Sequence, residues 1–538
     1  MAILMAGIVP ALLEVARRYP GNCAVEYGGH GLSYAELVRG VRATARGLGP
    51  APGPVGVLTD RSPATVVALF GVLAAGGTYC PVDPAFPVAR QRALLEAAGC
   101  AKVLVTRPGT PVPEGWEPVE LPDLRALPDD PHSLPDDPHS LSDEEHPVPS
   151  APEAADAEAP AYTLFTSGST GRPKPVLTPR QAIAASVASL RELFALTPAD
   201  RVLQFASLNW DTCLEEILPA LTTGATLVFH DEAYTGSIPR LLRAVDAAGV
   251  TLLDLPTAFW HELVRHLAEG DEQLPDGVRT VVIGGEAVGP ARLAQWRALA
   301  TDRVRLINTY GCTETTLITH AVDLHGPEAP GPGAWWGERG VPIGKPLPHA
   351  TDAIGPDGEL SVAGPALATG YRNLPEATAE RFVTLEGPGG PVRWFRTGDR
   401  VSRRPDGHLV HEGRLDAEIK VRGIRVDPGE IETHLTAHPE VGVAAVVGTR
   451  TADRTTVTAY VVPQRADADA AALVREVLRD LRATVPGHLV PHRVTVVPEL
   501  VHTAGGKIDR LGTHRLHTPA AASARPEHHN SPTEQDNR

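Results

Sequence analysis

The chain has 538 residues, 42% of them hydrophobic, and a formal net charge of −16 at pH 7. At about 100–200 residues per domain, that length calls for two to four lobes, and the apolar share excludes a disordered polymer. No basic stripe offsets the acidic balance, which argues against nucleic acid and against an anionic membrane surface as partners. Arginine far outnumbers lysine, and the five lysines are Lys102, Lys174, Lys345, Lys420 and Lys507. The five cysteines form no CxxC pair, as expected of reduced thiols in the cytoplasm. The N-terminal stretch MAILMAGIVPALLEVARRYPGN has no basic leader, and no apolar run of about eighteen residues suggests a membrane span.

Taken in chain order, residues 7–120 alternate helix-like stretches with short apolar runs. Pro63–Ala74 reads as a buried helix and Ala101–Thr106 as a strand. Leu127–Pro160 contains a tandem LPDDPHS repeat and acidic, Pro/Ala-rich sequence, too poor in apolar residues to pack, and is expected to be a disordered insertion. Alternation then resumes, with strands expected at 202–205, 226–229, 251–255, 280–283 and 305–307. This pattern predicts an α/β fold with mostly parallel sheets flanked by helices. From about 355 the pattern changes to short strands and turns, and a smaller domain is expected from Asp416. Its periodicities predict helix 429–438, strands 441–447 and 456–462, helix 469–484 and strand 493–498. The expected division is therefore 1–415, 416–515 and a disordered tail, 516–538, without a serine-centred carrier motif.

Five segments carry chemistry. In TSGSTGRPK (166–174), small hydroxyl and glycine residues let backbone N–H groups approach an anion, and Lys174 adds charge. It is not a Walker loop. In NTYGCTETT (308–316) an aromatic can cover a base and a carboxylate can hold Mg2+. RTGD (396–399) is an acidic turn suited to ribose hydroxyls, GRLDAEIKVRG (413–423) spans the expected domain boundary, and GGKIDR (505–510) delivers Lys507 from a glycine turn.

In this order the segments resemble the adenylate-forming superfamily, specifically adenylation domains of nonribosomal peptide synthetases. LSYAEL (32–37), LAAGGTYCPVDP (73–84), GELSVAGPALATGYRNLPEATAERF (358–382) and VPGHLVP (485–491) extend the resemblance over about residues 10–515. It implies a large N-terminal domain with mixed and parallel sheets and a small β-rich subdomain, followed by a small mobile α+β lid. It implies ATP and Mg2+. Thr166, Ser167, Gly168, Ser169, Thr170, Gly171 and Lys174 would embrace the β- and γ-phosphates, and Glu314 would ligate the metal. Gly285, Glu286, Asn308, Tyr310 and Thr313 would surround the nucleotide, with Asp399 and Arg414 on the ribose. Lys507 would stabilise the reacting carboxylate, and Asp416 would be the hinge. Cys312 reads better as a small filler than as a nucleophile. Pro175 stands where the family has glycine, which stiffens the exit of the phosphate loop and removes an N–H donor.

By the same resemblance the amino-acid pocket is lined by Asp211, Thr212, Glu215, Asp254, Val282, Gly284, Thr309, Leu317, Ile318 and Lys507. Asp211 would pair with the substrate ammonium. Two further carboxylates in a small apolar cleft demand a second cation from the ligand. The set resembles the pocket of β-lysine-activating enzymes of streptothricin- and viomycin-type pathways, with lysine or ornithine as alternatives. The implied acceptor is the phosphopantetheine thiol of a separate carrier protein, or an amine taking the acyl group directly. An acid–CoA or aryl ligase would waste Asp211, and a non-catalytic scaffold would not keep Lys507, Glu314, Asp399 and Arg414. A monomer is the family default, and an MbtH-like activating partner is an open requirement.

Overall fold

A computed structural model of the chain describes residues 7–122, 157–168, 172–329, 340–387, 389–416, 418–421, 423–450, 455–465, 467–502 and 508–518. Ser169, Thr170, Gly171 and Lys507, most of the expected insertion, and residues 519–538 lie outside them.

Local chemistry sets the elements. The helix Pro63–Ala74 starts where Ser62 Oγ accepts the Ala64 N–H at 3.2 Å, with Pro63 in the first turn, where its missing N–H costs nothing. Every residue from Thr65 to Leu73 is buried, which explains an apolar circumference rather than a stripe. The helix Tyr34–Leu48 opens with a capping box in which the Ser33 and Glu36 side chains satisfy each other's backbone N–H groups.

Among the described residues two large sheets form the N-terminal region, one of nine strands and one of seven. The nine-stranded sheet is centred on Leu252–Pro256, Thr280–Gly284 and Arg305–Gly311, paired in parallel. The seven-stranded sheet is centred on Pro54–Leu58, Thr78–Val82 and Pro160–Thr166, also parallel, with Lys174–Pro179 antiparallel beside the last. Helices pack between the sheets in one continuous apolar core that includes Leu37, Phe70, Tyr162, Leu214 and Val282. A five-stranded antiparallel sheet containing Gly390–Arg403 and Leu409–Arg414 forms the β-rich subdomain. The chain is α/β in the predicted sense, a large N-terminal domain and a small C-terminal one.

The C-terminal domain holds the hairpin Ile419–Val421/Ile424–Val426, the helices Pro428–Thr436 and Ala470–Thr484, and a sheet of Val441–Arg450, Thr455–Pro463 and Arg493–Val496. A separate apolar cluster around Ile431, Leu435, Val446, Val461 and Val477 holds it together. The last helix, Arg510–His517, runs past the expected limit at residue 515.

Candidate active site

Thr166 ends one strand and faces Lys174 on the next, so the segment expected to bind anions leaves and rejoins one strand pair. Gly168 is required by close packing, because a Cβ there would lie 2.4 Å from the Arg172 carbonyl. Pro175 sits in the sheet opposite Phe165, and its carbonyl accepts the Arg372 N–H at 2.8 Å. The substitution therefore falls in the strand and not in the loop.

The residues expected around the nucleoside converge. A cavity of about 220 Å3 is lined by Gly285, Glu286, Tyr310, His411, Arg414 and Lys420, among others. Asp399 is fully buried, and its carboxylate accepts from Tyr310 Oη at 2.7 Å, His411 Nε2 at 2.9 Å and Arg414 Nη1 at 3.2 Å. Burial opposes its charge, yet His411, Lys420 and Arg414 hold it well below the usual carboxylate range. Asn308 donates Nδ2–H to the Pro342 carbonyl at 2.7 Å, while its buried Oδ1 has no partner among the described residues. That orphan acceptor suits the amino group of a base. Arg414 also grips Asp416 through Nε at 2.8 Å and Nη2 at 2.6 Å. Cys312 is buried and its thiol is pushed up to about 11 by burial, which suits packing and not nucleophilic attack.

The small domain reaches into this site. Arg425 donates Nη1–H to Glu314 Oε2 at 2.7 Å, while Tyr371 donates its hydroxyl to Oε1 at 2.7 Å. Ser167 donates its hydroxyl to the Arg425 carbonyl at 3.1 Å and accepts the Asp427 N–H at 2.9 Å. The Gly168 N–H donates to Glu430 Oε2 at 3.2 Å, and Arg90 pairs with Glu430 Oε1 at 3.0 Å. The Gly423 N–H donates to Glu286 at 2.7 Å. A guanidinium thus faces the expected metal ligand, and a carboxylate faces the expected phosphate donors. Ile508, which follows Lys507, packs on an apolar cluster of the small domain.

Several of the residues expected to line the amino-acid pocket lie on adjoining elements. Asp254 pairs with Val282 along adjacent strands, and Thr309 donates its hydroxyl to the Ile283 carbonyl at 2.9 Å. Gly284 leaves room for Thr309, since a Cβ would lie 2.5 Å from its Oγ1. Val282, Leu317 and Ile318 belong to the inter-sheet core, and Leu317 has φ 68, a left-handed backbone uncommon outside glycine. Thr212 begins the helix Thr212–Leu221, which carries Glu215. Asp211 is raised by burial, opposed by a hydrogen bond from Thr313. Glu215 is raised strongly by burial and by Asp254, Asp211 and Glu216. Asp254 is also raised by burial, and its Oδ2 has no partner among the described residues.

Sequence reasoning missed His411, Tyr371, Arg425, Glu430 and Glu216. Arg425 and Glu430 follow the GRLDAEIKVRG segment closely, so the boundary motif was the available signal. Glu216 gave none. It accepts the Phe205 and Ala206 N–H groups, both at 2.9 Å, and Gln204 Nε2 at 2.9 Å, and burial and Asp254 raise it to about 8.

Comparison with known proteins follows this geometry. The AMP-binding enzyme family model matches residues 12–372, and the AMP-binding enzyme C-terminal domain matches 430–507. The chain is 40% identical over 519 residues to the isonitrile lipopeptide synthase of Streptomyces coeruleorubidus, covering 94% of this chain and 33% of that protein. It is 35% identical over 523 residues to the phosphinothricin tripeptide synthetase PhsC of Streptomyces viridochromogenes, covering 93% and 44%. The chain therefore spans a third to under half of these relatives. Among solved structures, an artificially fused adenylation–PCP di-domain from Klebsiella oxytoca superposes with TM-score 0.76 at 25% identity, covering 91% and 94%. The amide bond synthetase McbA from Marinactinospora thermotolerans gives 0.74 at 26%, covering 95% and 99%. The chain belongs to the AMP-binding enzyme family and is similar over most of its length to adenylation regions of peptide synthetases.

Proposed function

We propose that the chain activates a diamino acid, best matched by β-lysine, as its aminoacyl-adenylate with release of pyrophosphate. The acyl group then passes to the phosphopantetheine thiol of a separate carrier protein in peptide antibiotic biosynthesis. The observation that carries the substrate reading is the facing pair Glu215 and Asp254, 9% and 3% exposed, whose carboxyls are both raised by burial. The charged groups acting on Glu215 are the acids Asp254, Asp211 and Glu216. An apolar substrate side chain would leave these acids uncompensated, whereas a distal ammonium neutralises them. Lysine and ornithine share that cation and differ in where the α- or β-ammonium meets Asp211.

In this reading a substrate carboxylate oxygen displaces pyrophosphate from the α-phosphorus of ATP. Asp211 and the Glu215–Asp254 pair fix the two ends of the amino acid, so that catalysis rests on positioning and charge neutralisation. Thr166, Ser167, Gly168 and Lys174 receive the phosphates. Asn308 and Tyr310 bound the base, Asp399 and Arg414 hold the ribose, and Lys507 approaches the reacting oxygens. Glu314 is the residue that would hold Mg2+. A carboxylate presented to phosphates is the usual protein share of such a site; here Arg425 holds its Oε2 and Tyr371 its Oε1, so the metal would have to displace the guanidinium. Asp416 is the hinge, a cytoplasmic setting goes with ATP consumption, and an MbtH-like partner is admitted.

ATP–pyrophosphate exchange across β-lysine, lysine, ornithine, phenylalanine and benzoate tests the reading. The expected result is a preference for diamino acids, led by β-lysine. A preference for phenylalanine or benzoate would overturn the pocket assignment. The likeness to an amide bond synthetase supports a second reading, direct transfer to an amine. Mass spectrometry separates the two by showing either acylated carrier or free amide.

A further inference from the structure

His411 owes its position to a fault in the strand pairing. The register runs Asp399 with Arg414 and Arg400 with Gly413, then Val401 with His411, so Glu412 is an extra residue in the second strand. In an unbroken ladder Val401 would face Glu412, and His411 would lie on the sheet face opposite Asp399. The bulge brings His411 to the Asp399 face, as bulges beside binding sites commonly re-aim a side chain.

Its ring lines the nucleoside cavity, and its Nε2 lies 2.9 Å from Asp399 Oδ1. Because the partner is a carboxylate, Nε2 carries the proton. A carboxylate offers about four acceptor positions. Arg414 and His411 take two on Oδ1, and Tyr310 takes one on Oδ2. One position on Oδ2 remains for a ligand donor.

We propose that His411 is a positioning residue of the nucleoside site, whose Nε2–H fixes the rotation of the Asp399 carboxylate so that its remaining Oδ2 acceptor meets a ribose hydroxyl. The inference rests on the reading that Asp399 holds the ribose. Without His411, Tyr310 still holds Oδ2 but Oδ1 keeps only the longer bond from Arg414, whose guanidinium is shared with Asp416, Glu418 and the Thr397 carbonyl, so the carboxylate is freer to turn.

Calorimetric titration of the full chain with AMP, 2′-deoxy-AMP and 3′-deoxy-AMP tests this without recourse to turnover. H411F should weaken AMP binding about tenfold, the scale of one hydrogen bond to a charged group. It should also shrink the gap between AMP and the weaker-binding deoxynucleotide to within about twofold, because the missing hydroxyl then has less to lose. H411Q, which keeps an N–H donor of similar reach, should recover most of both. H411A carries the same expectation as H411F and stands in if that variant does not fold. AMP binding unchanged in H411F, or all three nucleotides weakened equally with the gap intact, would overturn the proposal. D399N separates the two levels of the reading. If the gap persists in D399N, the ribose assignment itself fails. If D399N closes the gap and H411F does not, only the role of His411 fails.

Discussion

Replacing Asp254 by asparagine should raise stability and lower activity together. Glu215 and Asp254 are both buried, and burial pushes both carboxyls above their ordinary range. A raised carboxyl contributes its full stability below its unfolded value and loses it as pH climbs through the raised value. The wild-type chain should therefore lose stability as pH climbs from the ordinary carboxylate range through about 7 at Asp254, with Glu215 adding to the loss as it ionises. Asp254→Asn removes one of the two acids and leaves an amide that can donate to Glu215. Relief of an unpartnered buried acceptor is worth about 1–3 kcal/mol, so the variant should be more stable than wild type by about that much at pH 8. With a diamino acid bound, the balance reverses. Removing one member of a buried, compensated charge group costs about 3–5 kcal/mol, which is a loss of about a hundredfold to a few thousandfold in kcat/KM. Urea unfolding at pH 5 and pH 8, beside ATP–pyrophosphate exchange with β-lysine and lysine, measures both effects. A variant less stable than wild type at pH 8, or one exchanging diamino acids at the wild-type rate, would refute the argument.

Gly168→Ala puts a Cβ 2.4 Å from the Arg172 carbonyl, and only movement of the loop backbone relieves it; the KM for ATP should rise about tenfold or more, the scale of one lost charge-assisted contact, and an unchanged KM would remove Gly168 from the phosphate site. Gly285 has φ +85, and a Cβ there would lie 3.1 Å from Gly423 Cα. Gly285→Ala should therefore loosen the packing of the small domain against the large one, read as faster hydrogen exchange at residues 423–426, and unaltered protection would count against the contact. Arg425→Ala leaves Glu314 and Glu418 without their shared guanidinium, a loss of about 3–5 kcal/mol when one partner of a buried ion pair is removed. Glu418 is opposed by burial but held below its ordinary range by Arg425. The lost stability is thus present above that range and disappears in the wild type as pH falls through the depressed value. The gap between wild type and variant should narrow in acid, and a constant gap would disprove the pairing.

Much of this protein is written locally. Pro63–Ala74 is a helix because a serine cap, an N-terminal proline and an unbroken apolar run agree within twelve residues. Thr226–Phe229 is a strand because its short apolar run is buried on both faces. TSGSTGRPK carries its loop character in its own glycines, and the family's ordered motifs can be read without a fold. None of these signals extends beyond its own segment. Glu215 and Glu216 show where they stop. Adjacent residues on a helix point about 100° apart, and the sequence does not say which faces the pocket. Packing sends Glu216 to the 205–206 backbone and leaves Glu215 against Asp254. Likewise Arg425 meets Glu314 across 111 residues, and His411 reaches Asp399 only because a bulge shifts one strand by one residue. Local sequence is enough for most of the elements, the family and the kinds of residue available. Tertiary structure alone decided which charges oppose each other, because burial and long-range contact are properties of the packed chain and not of any segment.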